Sequence, residues 1–202
     1  MAILEQQIQV GKLTWFYREA NPLREDASQL PVVLLHGLVS QSYSWRDVMP
    51  KIAEQDLRAI APDWIGHGFS DFPEKRDFAY TADAFVDALN EFLQTLEIER
   101  CHLVVQGFMG VYGVLYALRH AERVERLVII NTPLDATVKL PGAVRRMTWP
   151  LAGEMMTQDP LLVDRTLEGG GPYQVKDKDL DIYRKPFLTT SSAGRSLLFT
   201  LR

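Results

Sequence analysis

An α/β protein built on a mostly parallel sheet with helices on both faces is the fold class this sequence predicts. Two observations carry the prediction. Four short and mostly apolar runs, Pro31–Leu35, Leu57–Ala61, His102–Val105 and Arg126–Ile130, lack polar alternation, as strands buried on both faces do. Between them lie longer stretches with apolar residues every three or four positions, which is helical spacing. At 47% hydrophobic residues, the 202-residue chain can bury a sizeable core.

Taken in order, Gln6–Val10 and Leu13–Arg18 read as a hairpin around Gly11-Lys12. Asn21–Leu30 is polar, carries Pro22, and reads as a loop. The strand Pro31–Leu35 ends in His36-Gly37. Trp45–Glu54 has helical periodicity, with Trp45, Val48, Met49 and Ile52 on one face. The strand Leu57–Ala61 is stopped by Pro62-Asp63. Thr81 is placed to cap a helix over Ala82–Leu96, whose apolar positions are Phe85, Leu89, Phe92 and Leu96. A strand at His102–Val105, a helix at Met109–His120 and a strand at Arg126–Ile130 follow. From Pro133 the texture changes to short helical pieces, Gly142–Met147, Leu151–Met156 and Pro160–Glu168, then a break at Gly169-Gly170-Gly171-Pro172. Lys178–Phe187 and Ala193–Leu201 read as further helices. The expected division is a core over 1–134 and a helical region over 135–202.

Composition excludes several classes. The net charge of −4, with no basic run, argues against a nucleic-acid surface. No apolar run approaches the length of a membrane span. A single cysteine, Cys101, cannot form an internal disulfide, and the first ten residues lack the pattern of a signal peptide. The expectation is a soluble cytoplasmic protein without a metal or other cofactor.

Three stretches carry chemistry. His36-Gly37-Leu38 follows a buried strand, where loops line the binding crevice of such sheets; it is either a plain tight turn or a ligand-facing loop. Asp63-Trp64-Ile65-Gly66-His67-Gly68 follows another strand. Asp63 is suited to hold that loop through backbone N–H groups, and His67 reads as structural, the other ligands of a metal site being absent. The third is "LVVQGFMGVYG", Leu103–Gly113, with the layout of a nucleophile elbow: strand, glycine turn, helix. The apex is read as Phe108, which has nothing that can attack or be activated. Alternatively the stretch is only a helix N-terminus with a small-residue face. With the elbow, the N–H groups of Leu38 and Met109 become oxyanion-hole candidates, and His36, Gly37, Trp64 and Phe108 become pocket candidates.

From about Pro31 to Leu134 the chain resembles the α/β-hydrolase fold, in the branch holding haloalkane dehalogenases and epoxide hydrolases. The matching stretches are "VVLLHGLVSQSYSWRDVMPKIA", "RAIAPDWIGHGFSD", "HLVVQGFMG" and "YALRHAERVERLVIINTPL". The resemblance implies a helical cap after the sixth strand, and Met147–Arg202 fits one. It also implies groups that are absent. The covalent Asp is replaced by Phe108, the halide-holding Trp after it by Met109, and the Asn after His-Gly by Leu38. Asn131 stands at one acid position, with Asp135 four residues on, and the last histidine, His120, lies before the cap. Two further strands are implied beyond Arg202, so the chain is a fragment, a natural truncation, or a protein completed by another chain.

The resemblance thus implies a hydrolase frame that is catalytically inactive as this chain and that binds a small apolar ligand or a partner. The alternative is a hydrolase of C–halogen, epoxide or ester bonds. It would use an unusual site, such as Ser40, Ser42 or Ser44 beside His36, or the remainder of a longer parent chain. Without the further strands, Arg126–Ile130 becomes an open edge, and self-association there is the expected consequence.

Overall fold

The computed structural model describes residues 2–24, 29–135, 137–138, 142–168 and 175–202. Six strands form one sheet in the order β1-β2-β4-β3-β5-β6. β1 (Leu4–Val10) and β2 (Leu13–Ala20) make the antiparallel hairpin, turning at Gly11 with φ +58. β2 then pairs antiparallel with β4 (Ala59–Pro62). β4, β3 (Val32–Leu35), β5 (Cys101–Gln106) and β6 (Val124–Ile130) are mutually parallel. β3 and β4 are buried along their whole length, as strands sandwiched between helices must be.

Helices pack on each face. α1 (Met49–Ala53) covers one side, over Ala20, Val32, Leu34, Ala59 and Ala61. On the other, α2 (Ala82–Thr95) and α3 (Gly110–Arg119) bury Phe85, Leu89, Phe92 and Tyr116 against Trp15, Val33, Leu103 and Val105. Thr81 caps α2 as its position predicts, its side chain accepting from the Ala84 N–H at 3.2 Å. The helix expected over Trp45–Glu54 is instead a 3₁₀ turn at Ser42–Trp45 followed by α1. Pro50 explains the interruption. It offers no N–H, and its ring disfavours helical backbone in the residue before it, so it is best accommodated in a helix's first turn, where α1 places it.

The C-terminal helices are α4 (Gly142–Met147), α5 (Ala152–Thr157), α6 (Leu162–Glu168), α7 (Asp177–Thr189) and α8 (Ser191–Leu201). The predicted break at Gly169–Pro172 lies outside the described residues. Met147, Leu162, Val163, Tyr183 and Leu197 bury themselves with Val39, from the loop after β3. α7 runs through Pro186, which leaves the Ile182 carbonyl without its helical donor. The buried Gln41 fills the gap, its Nε2 donating to Ile182 O at 2.8 Å. Tyr43 and Arg46 add polar ties to Asp179, at 2.9 and 3.2 Å. Among the described residues no helix is long and apolar enough to cross a membrane.

Candidate functional site

The loops at the carboxyl ends of β3 and β5 meet glycine on glycine. A β-carbon on Gly107 would lie 3.3 Å from the Gly37 Cα, and one on Gly37 would lie 3.2 Å from the Gln106 carbonyl oxygen. The strand-to-helix turn exists where the sequence places it: Gly107 donates to Ile130 O at 2.9 Å, and the Gly110 N–H returns to Gly107 O at 3.1 Å. Gly110 opens α3 against the turn after β6, where any side chain would collide with Thr132.

The backbone strain is not where it was expected. The left-handed residue of the turn is Gly107, at φ +63; Phe108 is not among the residues with positive φ. At the apex of such a turn the chain must reverse within one residue, and the left-handed conformation does this. By conformation the apex is therefore Gly107, one residue before the predicted Phe108. The N–H that follows the apex belongs to Phe108 rather than Met109, whose side chain is fully buried in the core.

Above the two loops lies a cleft of about 240 Å³, lined by Gly37, Leu38, Ser40, Gln106, Gly107, Phe108, Val144 and Leu167. Of the predicted pocket residues, Gly37 and Phe108 line it, as does Leu38. His36 and Trp64 do not; both are fully buried beneath it. The Trp64 N–H donates to His36 Nε2 at 3.1 Å, so the ring proton sits on Nδ1 and is donated to Gly37 O at 2.8 Å. Both ring nitrogens are spent on the loop. Val144 and Leu167 come from distant helices, and nothing in their local sequence marked them as lining a site.

The neighbouring polar groups are committed as well. Asp63 accepts from the Ser42 N–H at 2.6 Å and the Phe69 N–H at 2.8 Å, the loop-holding role its position predicts. Ser42 Oγ accepts from Arg18 at 2.7 Å. Ser44 donates to Gln41 O at 2.8 Å, and Ser40 pairs with Ser44. No described serine of this loop is bonded to His36. Asn131 follows β6, exposed at φ +52, a conformation its short polar side chain tolerates. Asp135 is exposed too, and hydrogen bonds from Thr137 hold its carboxyl below the usual range.

His67 Nε2 lies 3.1 Å from Thr200 Oγ1 on α8. Burial, with a smaller contribution from His36, pushes its pKa down to about 3. Burial also lowers that of His36, against the opposing pull of Asp63. In the unfolded chain both rings take up a proton near the ordinary value of 6.5. The folded chain refuses that proton, so stability is full above the unfolded pKa and is lost as pH falls toward the folded one. Between about pH 7 and about pH 5 the His67 contribution alone should fall by about 2 kcal/mol, with His36 adding to it. Denaturant melts at the two pH values read this directly. His67→Gln should remove its share of the slope, and equal stability at both pH values would contradict the burial argument.

The sequence profile of a family described as alpha/beta hydrolase fold matches residues 31–168. Among curated proteins, the chain is 38% identical over 113 residues to 2-hydroxymuconate semialdehyde hydrolase of Pseudomonas sp. (strain CF600), covering 54% of this chain and 39% of that protein. It is 35% identical over 106 residues to haloalkane dehalogenase 1 of Mycobacterium bovis, covering 52% and 35%. Among solved structures, a haloalkane dehalogenase from Bradyrhizobium elkani superposes with a TM-score of 0.84 at 28% identity, covering 99% of this chain and 68% of that one. An epoxide hydrolase from Vigna radiata shares the fold, with a TM-score of 0.76 at 21% identity. The chain spans at most about two fifths of the length of these curated relatives in its matched region. With more than half of its residues inside the matched profile, and with the strand order and glycine turn described above, the chain belongs to the α/β hydrolase fold family.

Proposed function

We propose that this chain is a catalytically silent member of the family that keeps the elbow and its cleft for binding a small apolar molecule. One observation carries the reading: the strained apex position is Gly107, which has no side chain to attack with. The vacancy left by the family's covalent Asp falls on Gly107, and Phe108 then takes the place of the Trp that follows it. The reading does not depend on any sequence beyond Arg202, since a base supplied from elsewhere activates nothing at a glycine. Leu38, Phe108, Val144 and Leu167 make the cleft's apolar walls. The last two belong to α4 and α6, which supports a cap role for the region over 135–202. The single buried Cys101 fits a cytoplasmic setting.

Intact-mass measurement after incubation with a short 1-bromoalkane tests the silent apex. The expected result is an unmodified chain; an alkyl adduct, formed with loss of bromide, on Ser40 or His36 beside the cleft would overturn the proposal. The binding half is read separately, from the methyl resonances of Leu38, Val144 and Leu167 on addition of a short-chain alcohol. If none of them shifts, the cleft is not a ligand site.

The same reading includes self-association through β6. Among the described residues this strand is an edge, with Val128 and Ile129 exposed at 51% and 39%, and open apolar edges recruit another strand. Sedimentation at micromolar concentration should show a dimer that Val128→Lys dissociates. A monodisperse monomer would refute pairing at this edge.

A further inference from the structure

A second apolar surface stands apart from both the cleft and the β6 edge. The turn joining α4 to α5 carries Trp149 and Leu151, and α5 beside it carries Met155; they are exposed at 55%, 79% and 75%. Pro150 between them is exposed as well, and so are Arg145 and Arg146 at the end of α4. Exposed large apolar side chains are unremarkable singly; several on one turn mark an interaction surface.

The turn is rigidly built. Several of its backbone groups are paired: Trp149 N to Arg146 O at 3.2 Å, Gly153 N to Trp149 O at 2.9 Å, and Met155 N to Leu151 O at 3.0 Å. Leu151 is held left-handed at φ 63, a conformation that costs a branched residue free energy. From beneath, Gly153 packs so closely on the Met147 carbonyl that any side chain there would collide. Arg202 clasps both Glu154, at 2.6 Å, and the Trp149 carbonyl, at 3.2 Å. The apolar side chains are therefore presented outward by a fixed scaffold rather than shed from a frayed end.

The charges choose the partner. Glu154 is neutralised by Arg202, and Asp159 by Arg165 at 2.7 Å. Arg145 and Arg146 have no ion pair among the described residues. The turn is thus locally cationic on a chain of net charge −4, and salt confines each effect to its neighbourhood. An aromatic and aliphatic tip flanked by unpaired arginines has the chemistry of an interfacial anchor, with apolar side chains among acyl chains and guanidinium groups on phosphates. We propose that the α4–α5 turn docks on the surface of an anionic phospholipid bilayer, without spanning it.

The other three tryptophans, Trp15, Trp45 and Trp64, are buried, so a change in emission reports Trp149. With vesicles of phosphatidylcholine containing about one third phosphatidylserine, the chain should co-sediment and its Trp149 emission should shift to the blue. Replacing both arginines with glutamine should weaken partitioning by about 30-fold, the combined effect of two such groups at an anionic surface. The combined change Trp149→Ser, Leu151→Ser and Met155→Ser should abolish binding while leaving the thermal melt unchanged, because these side chains are exposed. No co-sedimentation, or binding that survives the triple change, overturns the proposal. So does a lipid-free dimer that the triple change dissolves and Val128→Lys does not, which would assign the turn to a second copy of the chain.

Discussion

Activated esters, epoxides and haloalkanes should all react in the presence of this chain at their uncatalysed rates. Removing the nucleophile from a triad-type site costs on the order of 10⁶ in kcat. Oriented N–H donors alone retain roughly 10³–10⁴ over water in complete enzymes, but only where a substrate is held in line for attack. Here the apex is Gly107, and the nearest imidazole, His36, donates to one carbonyl and accepts from one N–H of its own loops. The serines nearby are bonded to Arg18, to the Gln41 carbonyl and to one another. Steady-state assays on a purified sample provide the check. Turnover that disappears on Ser40→Ala or Ser42→Ala would show that one of those hydroxyls is freed and activated in solution.

Asp63→Ala should be the most destabilising single substitution around the cleft. The carboxylate is fully buried and accepts two backbone N–H groups, from Ser42 and Phe69, that belong to different loops. Its own backbone oxygen accepts from Ser70 at 2.6 Å, and Ser70 Oγ in turn takes the Phe16 N–H at 2.9 Å. Alanine leaves one buried and one half-buried donor without acceptors. Hydrogen bonds to a charged group contribute about 1.5–3 kcal/mol each, so the loss should be roughly 3–6 kcal/mol, a large share of the stability of an ordinary domain. In a chain of this size the melting temperature should fall by roughly 10 °C or more. Asp63→Asn should sit between the two, since its amide oxygen serves one donor while its NH₂ opposes the other. A melt for Asp63→Ala within a degree or two of the parent would mean that water enters the loop and replaces the carboxylate.

Much of the frame was legible because its signals are local. Thr81 announces α2 by capping chemistry that requires only the next three residues. The apolar runs at β3 and β4 announce strands covered on both sides. The strand–glycine–helix pattern at Gln106–Gly110 located the elbow correctly. Its apex was misplaced by one residue because spacing counts positions and does not show which one takes the left-handed turn. Gly107 does so in pairing with Ile130 and in packing on Gly37, and both partners are remote in sequence. Trp45–Glu54 carries helical periodicity, yet Pro50 overrides it, and that signal was present in the sequence.

The sequence by itself determined the α/β class, the order of the strands along the chain and the loop-holding role of Asp63. Only the tertiary structure decided which polar groups are available. Sequence proximity brought His36 and three serines together, but hydrogen bonds to Trp64, Gly37, Arg18 and Gln41 consume them. It likewise decided that Val144 and Leu167 close the cleft and that Gln41 completes a helix interrupted by Pro186. The physical reason is the same in each case. A backbone conformation or an apolar stripe is set over a few neighbouring residues, whereas the partner that satisfies or confines a polar group is supplied by whatever the fold brings within about 3 Å, from any distance along the chain.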